Sequence, residues 1–296
     1  DLEDFERDLK SFIDVKHVLG VADGTNAIVL GLKASGIKEN DEIIISSHTY
    51  IATAAAIKMV GAKPIFTDIG NDNLFSCDNI EKLITNKTVG LMPTQLNGRT
   101  CNMTEVIEIS KKYNLKVFED SAQALGSKYR NKHSGTFGIF GTFSFYPAKV
   151  LGCFGDGGAI ITNDDNIAKK LFLLRDHGRD ENSEVVGWGT NCRLDNLQAA
   201  FLKFRLKNFT EDIKRRREIA QMYNDAFENI DEIICPPSPN DNDHFDVYQN
   251  YELSAKNRDN LKSFLSQNGI GTILQWGGVP VHHFQKLGYG KEKFTN

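Results

Sequence analysis

The chain has 296 residues, 40% of them apolar and 25% charged, enough to bury a large core in one large domain plus a smaller one. Its formal net charge of −4 gives no electrostatic reason to expect a nucleic-acid or anionic-membrane partner, and no apolar run is long enough to cross a bilayer as a helix. Five scattered cysteines without zinc spacing read as reduced thiols. The acidic, amphipathic start DLEDFERDLKSF is unlike a signal peptide, so the expectation is a cytoplasmic protein with a small-molecule ligand and no metal.

From residue 17 onward, short β-rich runs alternate with helical patterns. HVLGVA (17–22) predicts a strand, GTNAIVLGLKASG (24–36) a helix with a glycine stop, EIIISS (42–47) a strand and YIATAAAIKMVG (50–61) a helix rich in small residues. KPIFTDI, VGLMPTQ and LKVFED continue the series at 63–69, 89–95 and 115–120, and GTFSFYP (141–147) and GGAIIT (157–162) predict two further strands before a helix over 165–175. The basic run KRRREIAQMYNDAF (214–227) predicts a helix leading out of the large domain, its charges read as a solvated face. PPSPNDND (236–243) predicts a loop, and the segment from Tyr248 to Trp276 predicts strand, helix and strand of a small domain. The expected architecture is α/β, with a large domain over 1–208 and a smaller α+β domain over 209–296.

In such a sheet, ligands sit beyond the carboxyl ends of the strands, where several polar features fall. The turn Asp23-Gly24-Thr25-Asn26 offers backbone amides at a helix N-terminus, suited to a phosphate, although alone it reads as an ordinary helix cap. Asp120 closes a strand, where its carboxylate either caps the next helix or sits under a protonated ring nitrogen; Ser121, Ala122 and Gln123 permit close approach and offer an amide. Lys149 follows FSFYPA and precedes the glycine-rich LGCFGDGGA (151–159); most lysines there would be exposed and inert, whereas one desolvated near a cationic ring loses its proton readily. An amine for an aldehyde, a carboxylate for a pyridinium and donors for a phosphate are what pyridoxal phosphate requires. No GxGxxG opens the first strand–helix unit, which argues against a nucleotide-binding oxidoreductase.

In this order, DGTNA, TYIATAAAI, EDSAQALGSKY, FSFYPAKVLGCFGDGGAI and NCRLDNLQAAFL resemble the DegT/StrS family of pyridoxal phosphate-dependent sugar aminotransferases, over nearly the whole chain. The resemblance implies the aspartate aminotransferase fold (fold type I), with a mostly parallel mixed sheet in the large domain, and a homodimer with shared active sites. Residue by residue it implies Lys149 as the lysine that binds the coenzyme covalently, Asp120 as partner of its ring nitrogen, Gln123 at its ring oxygen and Tyr50 stacked on the ring. Gly24, Thr25 and Ser144 match phosphate binders, and Asn191 matches an asparagine reaching the phosphate of the neighbouring subunit. The reaction implied moves an amino group from L-glutamate to a nucleotide-linked keto-sugar. GDGGA after the lysine is closer to members acting on 3-keto than on 4-keto sugars.

The alternatives are a sugar dehydratase, in which a histidine replaces the lysine, and a non-catalytic regulatory homologue; Lys149 with Asp120 argues against both. This chain departs from the family at Pro93-Thr94-Gln95-Leu96-Asn97-Gly98, where a histidine is usual, and at Val150, where an asparagine is usual. Its ends read as incomplete relative to the family. His282, His283 and Trp276 stand either near the substrate or as structural residues, the commoner use of a lone histidine or tryptophan, and Arg193 is either a binder of the donor carboxylate or a brace of the interface.

Overall fold

Ile43, Ile44 and Ile45 are all fully buried, as expected of a central parallel strand covered on both faces. The computed structural model describes residues 1–290; the end of the expected smaller domain, 291–296, lies outside the described residues. Helix α1 (Leu2–Ile13) is followed by β1 (His17–Val21), α2 (Gly24–Ala34), β2 (Glu42–Ser46), α3 (Ile51–Met59), β3 (Lys63–Thr67) and β4 (Thr88–Met92). Then come α4 (Met103–Tyr113), β5 (Lys116–Asp120), the short strands β6 (Lys128–Tyr129) and β7 (Lys132–His133), β8 (Phe140–Ser144) and β9 (Gly158–Thr162). The remainder is α5 (Asp165–Arg175), α6 (Asn196–Leu206), α7 (Phe209–Phe227), β10 (Ile233–Ile234), β11 (His244–Phe245), β12 (Ser254–Ala255) and α8 (Arg258–Gln267).

The main sheet has seven strands among the described residues, in the order β1-β9-β8-β5-β4-β2-β3. Its pairings are parallel from β8 through β5, β4 and β2 to β3, and antiparallel on both sides of β9. The molecule is therefore α/β with a mostly parallel mixed sheet. Alternate strand residues feed opposite layers. Ile43 and Ile45 join α2, α3 and α5 in one apolar cluster, while Ile44 packs with Met103 and Val106 of α4. At the β9 end, Ala159 and Ile161 meet α1, α6 and the start of α7. Helix α2 approaches so closely that a Cβ on Gly31 would fall 2.4 Å from the Phe140 ring.

Three expectations are corrected. The strand predicted over 141–147 ends at Ser144, because Tyr146 to Lys149 form a turn in which the Lys149 N–H donates to the Tyr146 carbonyl at 2.8 Å. Pro147 is suited to its second position, having a fixed φ and no N–H to give a ladder. The final strand predicted in the segment up to Trp276 does not form: Ile273 is 85% exposed, Gln275–Gly278 is a 3-10 turn, and no ladder pairs the segment among the described residues. Strands need a neighbour for their backbone groups. Nor is the basic run of α7 merely a solvated face. Arg216 donates to the Tyr248 carbonyl at 3.0 Å, and Arg217 to those of Asp246 at 2.8 Å and Pro239 at 2.5 Å.

Candidate active site

The carboxyl ends of β1, β2, β4, β5 and β8 lie together because these strands run parallel in one sheet, so the segments leaving them converge. Asp120, the last residue of β5, pairs with Thr142 of β8 and bridges to Thr94 beyond β4. It is 4% exposed. One carboxylate oxygen accepts from the Thr53 hydroxyl at 2.6 Å and the other from the Ala122 N–H at 3.2 Å. Thr53 belongs to a chain of hydroxyls, with Thr49 Oγ1 at 2.8 Å from both Thr53 and Thr94. Sequence reasoning missed this relay. The available signal was the spacing of Thr49 and Thr53, which brings two hydroxyls to one side of the first turn of α3.

Burial pushes the Asp120 carboxyl above the ordinary carboxylate range, opposed by the Thr53 and Ala122 hydrogen bonds and by the charge of Lys149. Burial also lowers the half-buried Lys149 ammonium below its ordinary value, and the Asp120 charge opposes that shift. Each charge is thus felt by the other, the lysine half-buried and the aspartate buried. The turn that presents Lys149 is packed against its own exit. A Cβ on Gly152 would fall 2.6 Å from the Pro147 carbonyl oxygen, and the Cys153 N–H donates to Phe145 at 2.8 Å.

At the next strand end, Asp23 caps α2, accepting from the Asn26 N–H at 2.8 Å. The N–H groups of Gly24 and Thr25 stand at the helix N-terminus, where partial positive charge gathers. Ser144 abuts this end: a Cβ on Gly24 would meet the Ser144 Cβ at 2.9 Å. The fold therefore brings Gly24, Thr25 and Ser144 into one cradle, a few residues from Lys149 along the chain.

Gln123 is part-buried, and its side-chain oxygen accepts from the Asn97 N–H at 2.9 Å, leaving its amide nitrogen as a donor. Asn97 in turn bonds Glu252 and accepts from Asn250 at 3.0 Å. Tyr50, 53% exposed, occupies the N-cap position of α3, three residues before Thr53, with the Trp276 ring 6.0 Å away. Trp276 thus stands beside a candidate residue, with His48 at 5.2 Å from the same indole. Asn191 is exposed in a segment bridged to Asp176, and no hydrogen bond joins it to the other candidates among the described residues. Arg193 pairs with Asp176 at 3.1 Å, and the buried His282 packs near His283 and Phe66.

These groups fit pyridoxal phosphate. Asp120 offers a carboxylate to a ring nitrogen, Lys149 an amine to the aldehyde, Gln123 an amide donor to the ring oxygen, and the Gly24–Ser144 cradle donors to the phosphate. Among the described residues no group of histidine, cysteine and carboxylate side chains is arranged to hold a metal ion, and no helix is long and apolar enough to cross a membrane.

The model of the DegT/DnrJ/EryC1/StrS aminotransferase family matches residues 1–295. A pleiotropic regulatory protein of Geobacillus stearothermophilus is 37% identical over 290 residues, covering 96% of this chain and 77% of that protein. The dTDP-3-amino-3,6-dideoxy-alpha-D-galactopyranose transaminase of Aneurinibacillus thermoaerophilus is 39% identical over 284 residues, covering 95% and 77%. Among solved structures, S. venezuelae DesV in complex with a ketimine intermediate superposes with a TM-score of 0.93 at 35% identity, covering all of this chain and 79% of that one.

Proposed function

The chain belongs to the DegT/DnrJ/EryC1/StrS aminotransferase family, whose members are pyridoxal phosphate-dependent, and from that premise we propose that it moves an amino group from L-glutamate to a nucleotide-linked 3-keto sugar. The observation that carries this reading is the buried Asp120 carboxylate held by Thr53 at the end of β5, within electrostatic reach of the half-buried Lys149, with Ser144 against the N-terminus of α2.

Bound pyridoxal phosphate supplies an electron sink for the carbon that gains or loses the amine. In our reading Asp120 keeps the ring nitrogen protonated, and the Thr53 hydroxyl fixes the carboxylate that does so. Lys149 would anchor the coenzyme covalently, and its free amine would hold or move a proton at Nζ. Its lowered pKa suits both tasks, because an unprotonated amine is needed to attack and to accept a proton. Gln123 would donate to the ring oxygen, Tyr50 would cover the ring, and Gly24, Thr25 and Ser144 would hold the phosphate. Asn191 reaches the phosphate of the neighbouring subunit in a homodimer.

The choice of carbon 3 over carbon 4 is supported by GDGGA at 155–159 and by the Aneurinibacillus relative, named for a 3-amino sugar. A relative named as regulatory does not displace the catalytic reading, since a pure binding role has no use for the Lys149 and Asp120 pair. Protein loaded with pyridoxal phosphate is expected to show the yellow band of the lysine-bound coenzyme. L-Glutamate should bleach the band, and Lys149→Ala should lose both band and turnover. Nucleotide-linked 3-keto sugars should restore it faster than 4-keto sugars. Protein that stays colourless with added coenzyme refutes the reading.

A further inference from the structure

A lysine side chain is long and rotatable, so the place from which it reaches is set by its backbone. The two peptides that flank Lys149 are both held by one side chain, nearly a hundred residues downstream. Gln249 donates through Nε2 to the Ala148 carbonyl at 2.8 Å and accepts through Oε1 from the Val150 N–H at 2.7 Å. We infer that Gln249 is a positioning residue for the Lys149 amine, acting as a two-point clamp on its turn. This inference rests on the reading of Lys149 as the coenzyme-binding lysine.

The chemistry of the clamp is specific. A primary amide carries a donor and an acceptor on one rigid plane, matching one carbonyl and one N–H. Glutamate keeps the shape but loses the donor, and alanine loses both. The clamp is itself braced from two sides. The Arg216 guanidinium holds the Tyr248 carbonyl at 3.0 Å, and the Val247 N–H donates to the Gly98 carbonyl at 2.8 Å. Gly98 has φ 89°, and a Cβ there would lie 2.6 Å from the Tyr248 and Gln249 nitrogens, so only glycine lets the two segments meet. The next residue, Asn250, donates to Asn97, whose N–H holds Gln123. Segment 247–250 therefore links the lysine turn to the residue proposed for the ring oxygen. Gln249 lines an open cleft of about 470 Å³, so truncating it leaves space for water rather than a sealed void.

The test follows covalent capture rather than turnover alone. Coenzyme-free wild type, Gln249→Ala, Gln249→Glu and Lys149→Ala are mixed with pyridoxal phosphate, quenched with borohydride at intervals, and mapped by peptide mass. Gln249→Ala is expected to slow pyridoxyl attachment at Lys149 on the order of a hundredfold, the scale of a misplaced reacting group, with its melting temperature within a few degrees of wild type. Gln249→Glu, which keeps the volume, should also be slowed. In the Lys149→Ala background, adding Gln249→Ala should leave coenzyme affinity by equilibrium dialysis unchanged, because the phosphate cradle lies elsewhere. Wild-type capture rates in both Gln249 variants, or an equal loss of affinity in the Lys149→Ala background, overturn the clamp. Wild type that attaches nothing at Lys149 overturns the underlying reading instead.

Discussion

Lys149 and Asp120 each resist the shift that burial imposes on the other. The Lys149 pKa is depressed, so its charge costs stability that is felt as pH falls below the range where an unfolded lysine protonates. Asp120 offsets part of that cost. Asp120→Asn removes the opposing charge, so the Lys149 pKa is expected to drop further and its free amine to persist at lower pH. The pH midpoint of Lys149 labelling by an amine reagent, read in the coenzyme-free protein by peptide mass, checks this; a midpoint that stays put or rises contradicts it. Asp120 and Lys149 can be singled out from sequence because each sits in a distinctive local string. Thr53 cannot, since a threonine in an alanine-rich helix reads as packing and its partner is 67 residues away. Gln249 is hidden for the same reason: the peptides it holds lie 99 and 101 residues distant, and no local pattern marks them.

Elements with continuous apolar runs and capping signals were legible to within a few residues, as β2 and α2 show, because burial on both faces and a capping aspartate are local properties. The segment before Trp276 failed because strand formation depends on a neighbour that local sequence does not specify. A second element-scale feature is how α1 docks on the short β6–β7 ribbon. His133 of β7 lies 5.7 Å from Phe12 of α1, and burial, aided by the Lys128 charge and opposed by Asp14, lowers its pKa from 6.5 to about 4. The unfolded chain therefore binds a proton that the folded one refuses between those values, so this residue's effect is a loss of stability as pH falls from 6.5 to about 4. His133→Gln is expected to remove that loss. Melting curves of both proteins across this pH window should converge toward acid, with the gap changing by a few degrees. A constant gap would assign the acid sensitivity to other groups.

Across the whole molecule, large apolar side chains remain on the surface between residues 154 and 204. Phe154 is 78% exposed, Trp188 98%, Leu197 79% and Phe204 64%, and Asn191 is exposed within the same stretch. Exposed apolar surface commonly marks protein interfaces where such side chains lie together, as the Phe154 and Phe201 rings do at 4.1 Å. In our reading a second copy covers part of this stretch, and Asn191 completes the phosphate site of that copy rather than its own. Shared sites have a consequence that neither chain shows alone. Lys149→Ala lacks the anchor, and Asn191→Ala is expected to bind coenzyme more weakly, so each variant by itself is impaired at every site. In a mixed dimer, the Asn191→Ala chain supplies Lys149 and the Lys149→Ala chain supplies Asn191, and one of the two sites is intact. Equal mixtures allowed to exchange should recover roughly a quarter of wild-type turnover at limiting coenzyme, since half the dimers are mixed and each holds one good site. Activity equal to the mean of the two separate variants would show that Asn191 does not act across an interface.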